Sequence, residues 1–289
     1  MPELPEVETV RRGLHELLIG RTVQRSEAHD SPKSFPNAPA DVNAFLLGAT
    51  VTEVRRRAKV LLIDLSTQYT LLVHLKMTGQ LVFVGKERFG AGHPTDSLIG
   101  SLPDRSTRVT LTFTDDSRLF FNDQRKFGWM KLLPTTEVPQ LPFMQKVGPE
   151  PLEADFTAAQ FAERFTRRAN TSIKAALLDQ TVVAGVGNIY ADESLWSARI
   201  DPRRKVKDVS PQEFSLLHKE LRDVMNLAIE KGGSTDKNYV NAEGKRGSYM
   251  DFARVFRREG QACPRCGATI EKIKHAGRGT HFCPDCQLK

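Results

Sequence analysis

Cys263-Pro264-Arg265-Cys266 and, after sixteen intervening residues, Cys283-Pro284-Asp285-Cys286 contain all four cysteines of the 289-residue chain. Each C-x2-C turn presents two thiolates on one side of a tight knuckle, and two such turns can close a tetrahedron around one zinc ion. Two disulfides are the alternative pairing, which a cytoplasmic chain disfavours. The spacing predicts a zinc-ribbon finger over 252–289 holding one structural Zn2+ ion. Within it, Arg278 lies between Gly277 and Gly279. That pattern reads as a hairpin tip presenting one guanidinium, suited to bidentate phosphate contact, or more plainly as a turn with a solvated Arg.

The finger is also where charge collects. The chain has 42 Lys and Arg against 35 Asp and Glu, net +7, and residues 252–289 hold eight basic against three acidic side chains. A basic surplus of this kind points to a polyanionic partner, most commonly nucleic acid. No stretch approaches the ~20 apolar residues of a membrane span. Charged residues from Glu3 to Arg12 argue against a secretory signal, so the expected address is cytoplasmic.

Upstream of the finger, 234–251 is polar and Gly-bearing and reads as a loop. Helical periodicity marks roughly 157–168, 172–180, 188–198 and 211–231. Between the second and third of these, Gly185 and Gly187 allow backbone N–H groups to approach a phosphate, and Asn188 can cap the helix that follows; a plain helix hairpin is the alternative. Residues 135–150, with five prolines in Pro134–Pro151, read as a linker. From about 50 to 134 the pattern turns to short β-rich runs: Val60–Leu65, Thr70–Leu75, Leu81–Val84, Val109–Phe113, Leu119–Asn122 and Trp129–Leu132. The stretch 85–107 reads as a long surface loop, and 5–19 as an amphipathic helix with Pro5 in its first turn. The fold class expected is α+β and multidomain. It has an N-terminal β-sandwich with flanking helices at 1–134, the linker at 135–150, a helical domain at 151–251 and the finger at 252–289.

The start of the chain carries the most pointed chemistry. If the initiator Met1 is removed, Pro2 becomes a secondary amine one turn before a helix start, where the helix dipole favours its neutral, nucleophilic form. Attack by such an amine on a sugar C1′ gives an iminium, a fixed positive charge that can drive elimination. Glu3 and Glu6 stand close enough to move protons. An ordinary frayed terminus is the plainer reading. Lys59, after Arg55-Arg56-Arg57 and at the mouth of an apolar strand, can hold a phosphate.

Pro2-Glu3-Leu4-Pro5-Glu6-Val7-Glu8-Thr9 resembles the opening of the formamidopyrimidine-DNA glycosylase family. The likeness continues through His74-Leu75-Lys76-Met77-Thr78-Gly79, Asp123-Gln124-Arg125-Lys126-Phe127-Gly128 and Gly148-Pro149-Glu150-Pro151. Gln180 to Tyr190 and the cysteines enclosing Ala276–Thr280 complete it. The resemblance implies a bifunctional DNA glycosylase and abasic-site lyase of base excision repair. It would excise 8-oxoguanine and formamidopyrimidines through a Pro2 Schiff base with β,δ-elimination. Pro2, Glu3, Lys59 and Arg278 would be catalytic, with Glu6 assisting proton transfer. Met77, Arg125 and Phe127 would fill the gap left by the everted base. His74, Arg108, Lys174 and Asn188 would complete the DNA contacts, the last two from a helix–two-turn–helix domain. Residues 234–251 would be the lesion-recognition loop, with Tyr239 among its contacts.

The family usually has Gly-Lys where this chain has Ala58-Lys59. It commonly has histidines where this chain has Ser106-Thr107-Arg108. The expected partner is double-stranded DNA with oxidised bases or abasic sites, bound by a monomer with no membrane contact. Two other readings remain: the same catalyst with the endonuclease VIII preference for oxidised pyrimidines, and a catalytically silent zinc-ribbon protein that only binds DNA.

Overall fold

A computed structural model describes residues 1–93, 95–234 and 248–288. It forms two compact units, Met1–Gln145 with Lys231–Ser248, and Lys146–Glu230 with Tyr249–Lys289.

The first unit opens with helix α1 (Leu4–Leu18), whose buried Val7, Val10, Leu14 and Leu18 recur at helical spacing and make one apolar stripe. Strand β1 (Val23–Ala28) and the short helix α2 (Pro39–Phe45) precede strands β2 (Val51–Arg57), β3 (Val60–Leu65), β4 (Tyr69–His74), β5 (Gly79–Val84) and β6 (Arg88–Gly92). Strands β7 (Thr107–Phe113), β8 (Arg118–Asp123) and β9 (Trp129–Pro134), then helix α3 (Pro142–Lys146), complete it. Two sheets result, ordered β1-β7-β8-β5-β6 and β2-β3-β4-β9. Leu61, Ile63, Leu71 and Val73 of one sheet share a core with Leu81, Phe83, Leu111 and Phe121 of the other and with the α1 stripe. This is a β-sandwich with a helix in its core. Each such side chain contributes about 1.5–3 kcal/mol by leaving water.

Two stretches differ from the sequence reading. The segment 85–107 is not a bare loop. It contains β6, paired to β5 from Gln80↔Gly92 to Val84↔Arg88, and Leu98 packs on Val82 and Phe120. Residues 135–146, read as linker, fold back so that Val138, Leu141 and Met144 cover Val60, Leu62 and Leu72 on the outer face of β3 and β4. Both explain why β3 and β5 are apolar on both faces: each has a cover outside as well as a core inside.

In the second unit, α4 (Ala158–Phe165) starts at a Thr157 capping box with Gln160. Helices α5 (Ile173–Leu178), α6 (Asn188–Ser197) and α7 (Pro211–Glu230) follow. Phe161, Phe165 and Phe214 stack α4 against α7. The hairpin of β10 (Glu271–His275) and β11 (Arg278–Phe282) turns at Ala276-Gly277, both at positive φ (49° and 73°), the tight geometry that suits paired strands. Arg278 is therefore the first residue of β11, not the tip itself. The finger shares a core with α6, where Trp196 packs with Val255, Cys263, Ile270 and Cys283. Among the described residues no helix is long and apolar enough to cross a membrane. Residues 235–247, with Tyr239 and the greater part of the expected lesion-recognition loop, lie outside the described residues.

Candidate active site and nucleic-acid interface

Pro2, Glu3 and Glu6 are buried, whereas Met1 is exposed. Glu3 caps α1 and exchanges hydrogen bonds with Glu6 across the first turn, so that Glu6 Oε2 accepts the Glu3 N–H at 2.7 Å. Glu6 Oε1 accepts the Ser234 N–H at 2.8 Å. Gly233 makes that approach possible: at φ +88°, an added Cβ would stand 3.2 Å from Glu6 Cγ. Glu6 thus fixes the chain start to the segment beginning at Ser234. While Met1 remains, the Pro2 nitrogen is an amide without nucleophilic character. The site gains its amine only on removal of that residue.

His93, at the end of β6, was not singled out in the sequence because it lay in a stretch read as loop. Its N–H donates to the Gly79 carbonyl at 3.0 Å. Burial, then the positive amino terminus, hold its pKa below the usual imidazole value, with Asp123 opposing. It lies in the field of the chain start.

Lys59 is buried in the two-residue turn joining β2 and β3, beside the Arg57↔Val60 pair. Ala58, the first turn residue, takes φ +51°, a region that favours glycine. The basic run ahead of it is not all available to a ligand. Arg55 pairs with Asp64 at 2.5 Å and Arg56 with Glu8 at 3.2 Å. His74, at the end of β4, is pushed down to about 3 by burial and then by the Lys76 and Lys59 ammonium charges. It is neutral at physiological pH, and Nδ1 accepts the Lys76 N–H at 3.0 Å. Its remaining donor is Nε2–H.

The exposed residues of the expected wedge sit on two loops, Met77 between β4 and β5, and Arg125 and Phe127 between β8 and β9. Met77 is 37% and Phe127 54% exposed, unusual for side chains of this size, and the Arg125 guanidinium lies 4.8 Å over the Phe127 ring. Asp123, fully buried, joins the loops. Its carboxylate accepts the Thr78 hydroxyl from one and the N–H groups of Arg125 at 3.2 Å and Gly128 at 2.6 Å from the other. No side chain fits at Gly128, where a Cβ would come within 2.7 Å of Phe121. Lys126 is drawn away to Asp30 at 3.0 Å.

Arg108 does not join this surface. It is 4% exposed, and its guanidinium donates to the carbonyls of Asp123 at 2.8 Å and Arg105 at 3.0 Å. Three backbone acceptors outcompete solvent for it, so it braces the start of β7 against the end of β8, and the DNA contact expected of it is withdrawn.

In the second unit, Gln180 staples the turn between α5 and α6, donating to the Val186 carbonyl at 2.8 Å and accepting the Gly185 N–H at 3.0 Å. Gly187, not Asn188, is the N-cap of α6; Asn188 Nδ2 instead donates to the Gly279 carbonyl at 2.9 Å. Lys174 is fully buried and bonded within the protein, so the direct phosphate contact expected of it has no exposed ammonium to make it. Arg278 is exposed. Glu193 was also missed. Its buried carboxylate accepts the N–H groups of Arg254, Val255 and Phe256 at 2.8–2.9 Å and anchors the entry to the finger. Burial raises its pKa against those bonds.

The four cysteine sulfurs lie within 4.8 Å of one another, with Cys263–Cys286 at 3.8 Å and Cys266–Cys283 at 3.5 Å. These are not disulfide distances. They match the edges, about 3.8 Å, of a sulfur tetrahedron around zinc at ~2.3 Å. The donor set fits one structural zinc ion, with Trp196 Nε1 donating to Cys263 Sγ at 3.4 Å.

Three family profiles match the chain in order: the formamidopyrimidine-DNA glycosylase N-terminal domain over 1–130, its H2TH domain over 147–239, and the zinc finger found in FPG and IleRS over 260–288. The formamidopyrimidine-DNA glycosylase of Chloroflexus aurantiacus is 42% identical over 288 residues, covering 100% of this chain and 98% of that protein. A Lactococcus lactis variant of the enzyme, solved with Fapy-dG-containing DNA, superposes with a TM-score of 0.87 at 36% identity over 100% of both chains. The Lactococcus lactis enzyme with abasic-site DNA gives 0.86 at 36% identity, over 99% of this chain and 100% of that one.

Proposed function

Because this chain belongs to the formamidopyrimidine-DNA glycosylase family, we propose that, as a DNA repair glycosylase, it excises oxidised purines and then cleaves the abasic site with Pro2 as nucleophile. Double-stranded DNA carrying such lesions is the substrate, bound by a single chain in the cytoplasm. One observation carries the reading: two buried carboxylates, Glu3 and Glu6, are locked around the first helical turn beside Pro2.

With Met1 removed, the Pro2 nitrogen lone pair attacks C1′, the bond from C1′ to the base breaks, and the departing base takes up the proton that the amine gives up. Glu3 supplies the ring oxygen with the proton that lets the sugar open, and the lone pair restored to nitrogen forms the C1′=N+ iminium. The iminium acidifies C2′–H. Loss of that proton expels the 3′ phosphate by β-elimination, and a second elimination expels the 5′ phosphate. Water then hydrolyses the imine and frees Pro2. Lys59 and Arg278 act on the flanking phosphates. Neutral His74 donates from Nε2. Met77, Arg125 and Phe127 enter the stack in place of the everted base. Zinc takes no chemical part: it folds the finger that presents Arg278.

Borohydride trapping on 8-oxoguanine DNA, followed by peptide mass mapping, tests this. The adduct is expected on an amino-terminal Pro2. An adduct on a lysine, or full activity in protein that keeps Met1, would overturn the assignment. Faster excision of thymine glycol than of 8-oxoguanine opposite cytosine would replace it with the oxidised-pyrimidine reading.

A further inference from the structure

We infer that Asp192 is a positioning residue for Arg278, and that Lys174 serves DNA binding through the finger hairpin instead of touching phosphate itself; this rests on the function just proposed. Lys174 and Asp192 form an ion pair at 2.6 Å with both side chains wholly buried. The ammonium also donates to the Gly279 carbonyl at 3.0 Å and to Thr280 Oγ1 at 2.7 Å. The one ammonium thus meets both the α6 carboxylate and the finger hairpin. The other oxygen of Asp192 accepts the His281 backbone N–H at 2.9 Å and lies 3.0 Å from His281 Nδ1. A carboxylate only accepts, so that imidazole nitrogen carries the proton.

Gly279, Thr280 and His281 are the three residues that follow Arg278 along β11. One carboxylate on α6 therefore holds, directly or through Lys174, each of the three residues behind the exposed guanidinium: the Gly279 carbonyl, the Thr280 hydroxyl and the His281 N–H. Asn188 adds a second tie to Gly279. A buried ion pair stabilises a fold little better than apolar packing of the same volume, so stability alone does not explain this one. Holding a phosphate-binding guanidinium in place does, since an ordered contact loses less entropy on binding.

The test uses the full zinc-loaded chain and a duplex containing a tetrahydrofuran abasic-site analogue, with Kd measured against KCl concentration. Arg278→Ala should make the log–log salt slope shallower by about 0.9, the loss of one phosphate contact. Asp192→Asn is expected to reproduce that change at unaltered zinc content. The double variant should bind within about twofold of Arg278→Ala alone, as coupled sites do. A purely structural role for Asp192 would not erase the effect of Arg278. A wild-type slope in Asp192→Asn, or additive losses in the double variant, would overturn the inference. Should Asp192→Asn shed zinc, Thr280→Val decides. It keeps the ion pair and cuts one tie to the hairpin, so a shallower slope supports the inference and a wild-type slope overturns it. Absence of salt-dependent binding by the wild type would overturn the functional reading together with it.

Discussion

Asp123 holds two loops with one carboxylate, and Ala58 carries a backbone conformation better suited to glycine; both lead to measurable expectations. Asp123→Ala leaves the Gly128 N–H and the Thr78 hydroxyl without their acceptor, while the Arg125 N–H keeps Thr78 Oγ1 at 3.1 Å. At about 1–3 kcal/mol for each buried group left unsatisfied, the loss of stability should be plain in urea unfolding. Base eversion, followed by 2-aminopurine fluorescence beside the lesion, should fall with it; unchanged eversion would separate Asp123 from the wedge. Ala58→Gly should raise stability by roughly 0.5–1 kcal/mol, the left-handed penalty less the added entropy of glycine. A loss of stability in the same measurement would show that the turn gains from its methyl group. The oddity at Ala58 was legible as a departure from Gly-Lys, but its φ was not. Burial of Arg108 was not legible either, because its best-placed acceptor, the Asp123 carbonyl at 2.8 Å, comes from the end of the neighbouring strand fifteen residues on.

At the level of elements, the strands with apolar runs were readable because burial leaves its mark as alternation or as unbroken Val, Leu and Ile. Strand β6, Arg-Phe-Gly-Ala-Gly, carries no such mark. It exists because β5 offers it an edge and Leu98 covers it. The inward turn of Lys174 depends on Asp192, eighteen residues later, and no local pattern shows that pairing. The cysteine spacing, by contrast, contains its own geometry. Removing zinc with a chelator should unfold the β10–β11 hairpin and abolish binding to abasic DNA. In a Trp129→Phe variant, the remaining Trp196 should report this as a shift in emission, since it packs on Cys263 and donates to its sulfur. Retained binding after complete zinc loss would remove the finger from the interface.

Over the whole molecule, the acid limb of stability follows from buried imidazole. In the unfolded chain His74 takes up a proton near pH 6.5, while in the fold it resists until about 3. Its contribution is therefore complete above about pH 6.5 and is lost as pH falls towards 3, at up to ~1.4 kcal/mol per pH unit. Glu213, held at about 2 chiefly by the Arg204 guanidinium, adds a second loss below its ordinary range. His74→Gln should flatten the stability profile between pH 6 and 4, and an unaltered profile would show that the imidazole is not the cause. The tie between Glu6 and Ser234 has a consequence for synthesis. The two partners are 228 residues apart, so at ~5–20 residues per second the ribosome needs roughly 11–46 s to deliver the second after the first. Throughout that interval the nascent chain start has no partner to close over it, and an aminopeptidase can trim it. On the proposed mechanism, the enzyme would then be chemically armed before it is architecturally complete.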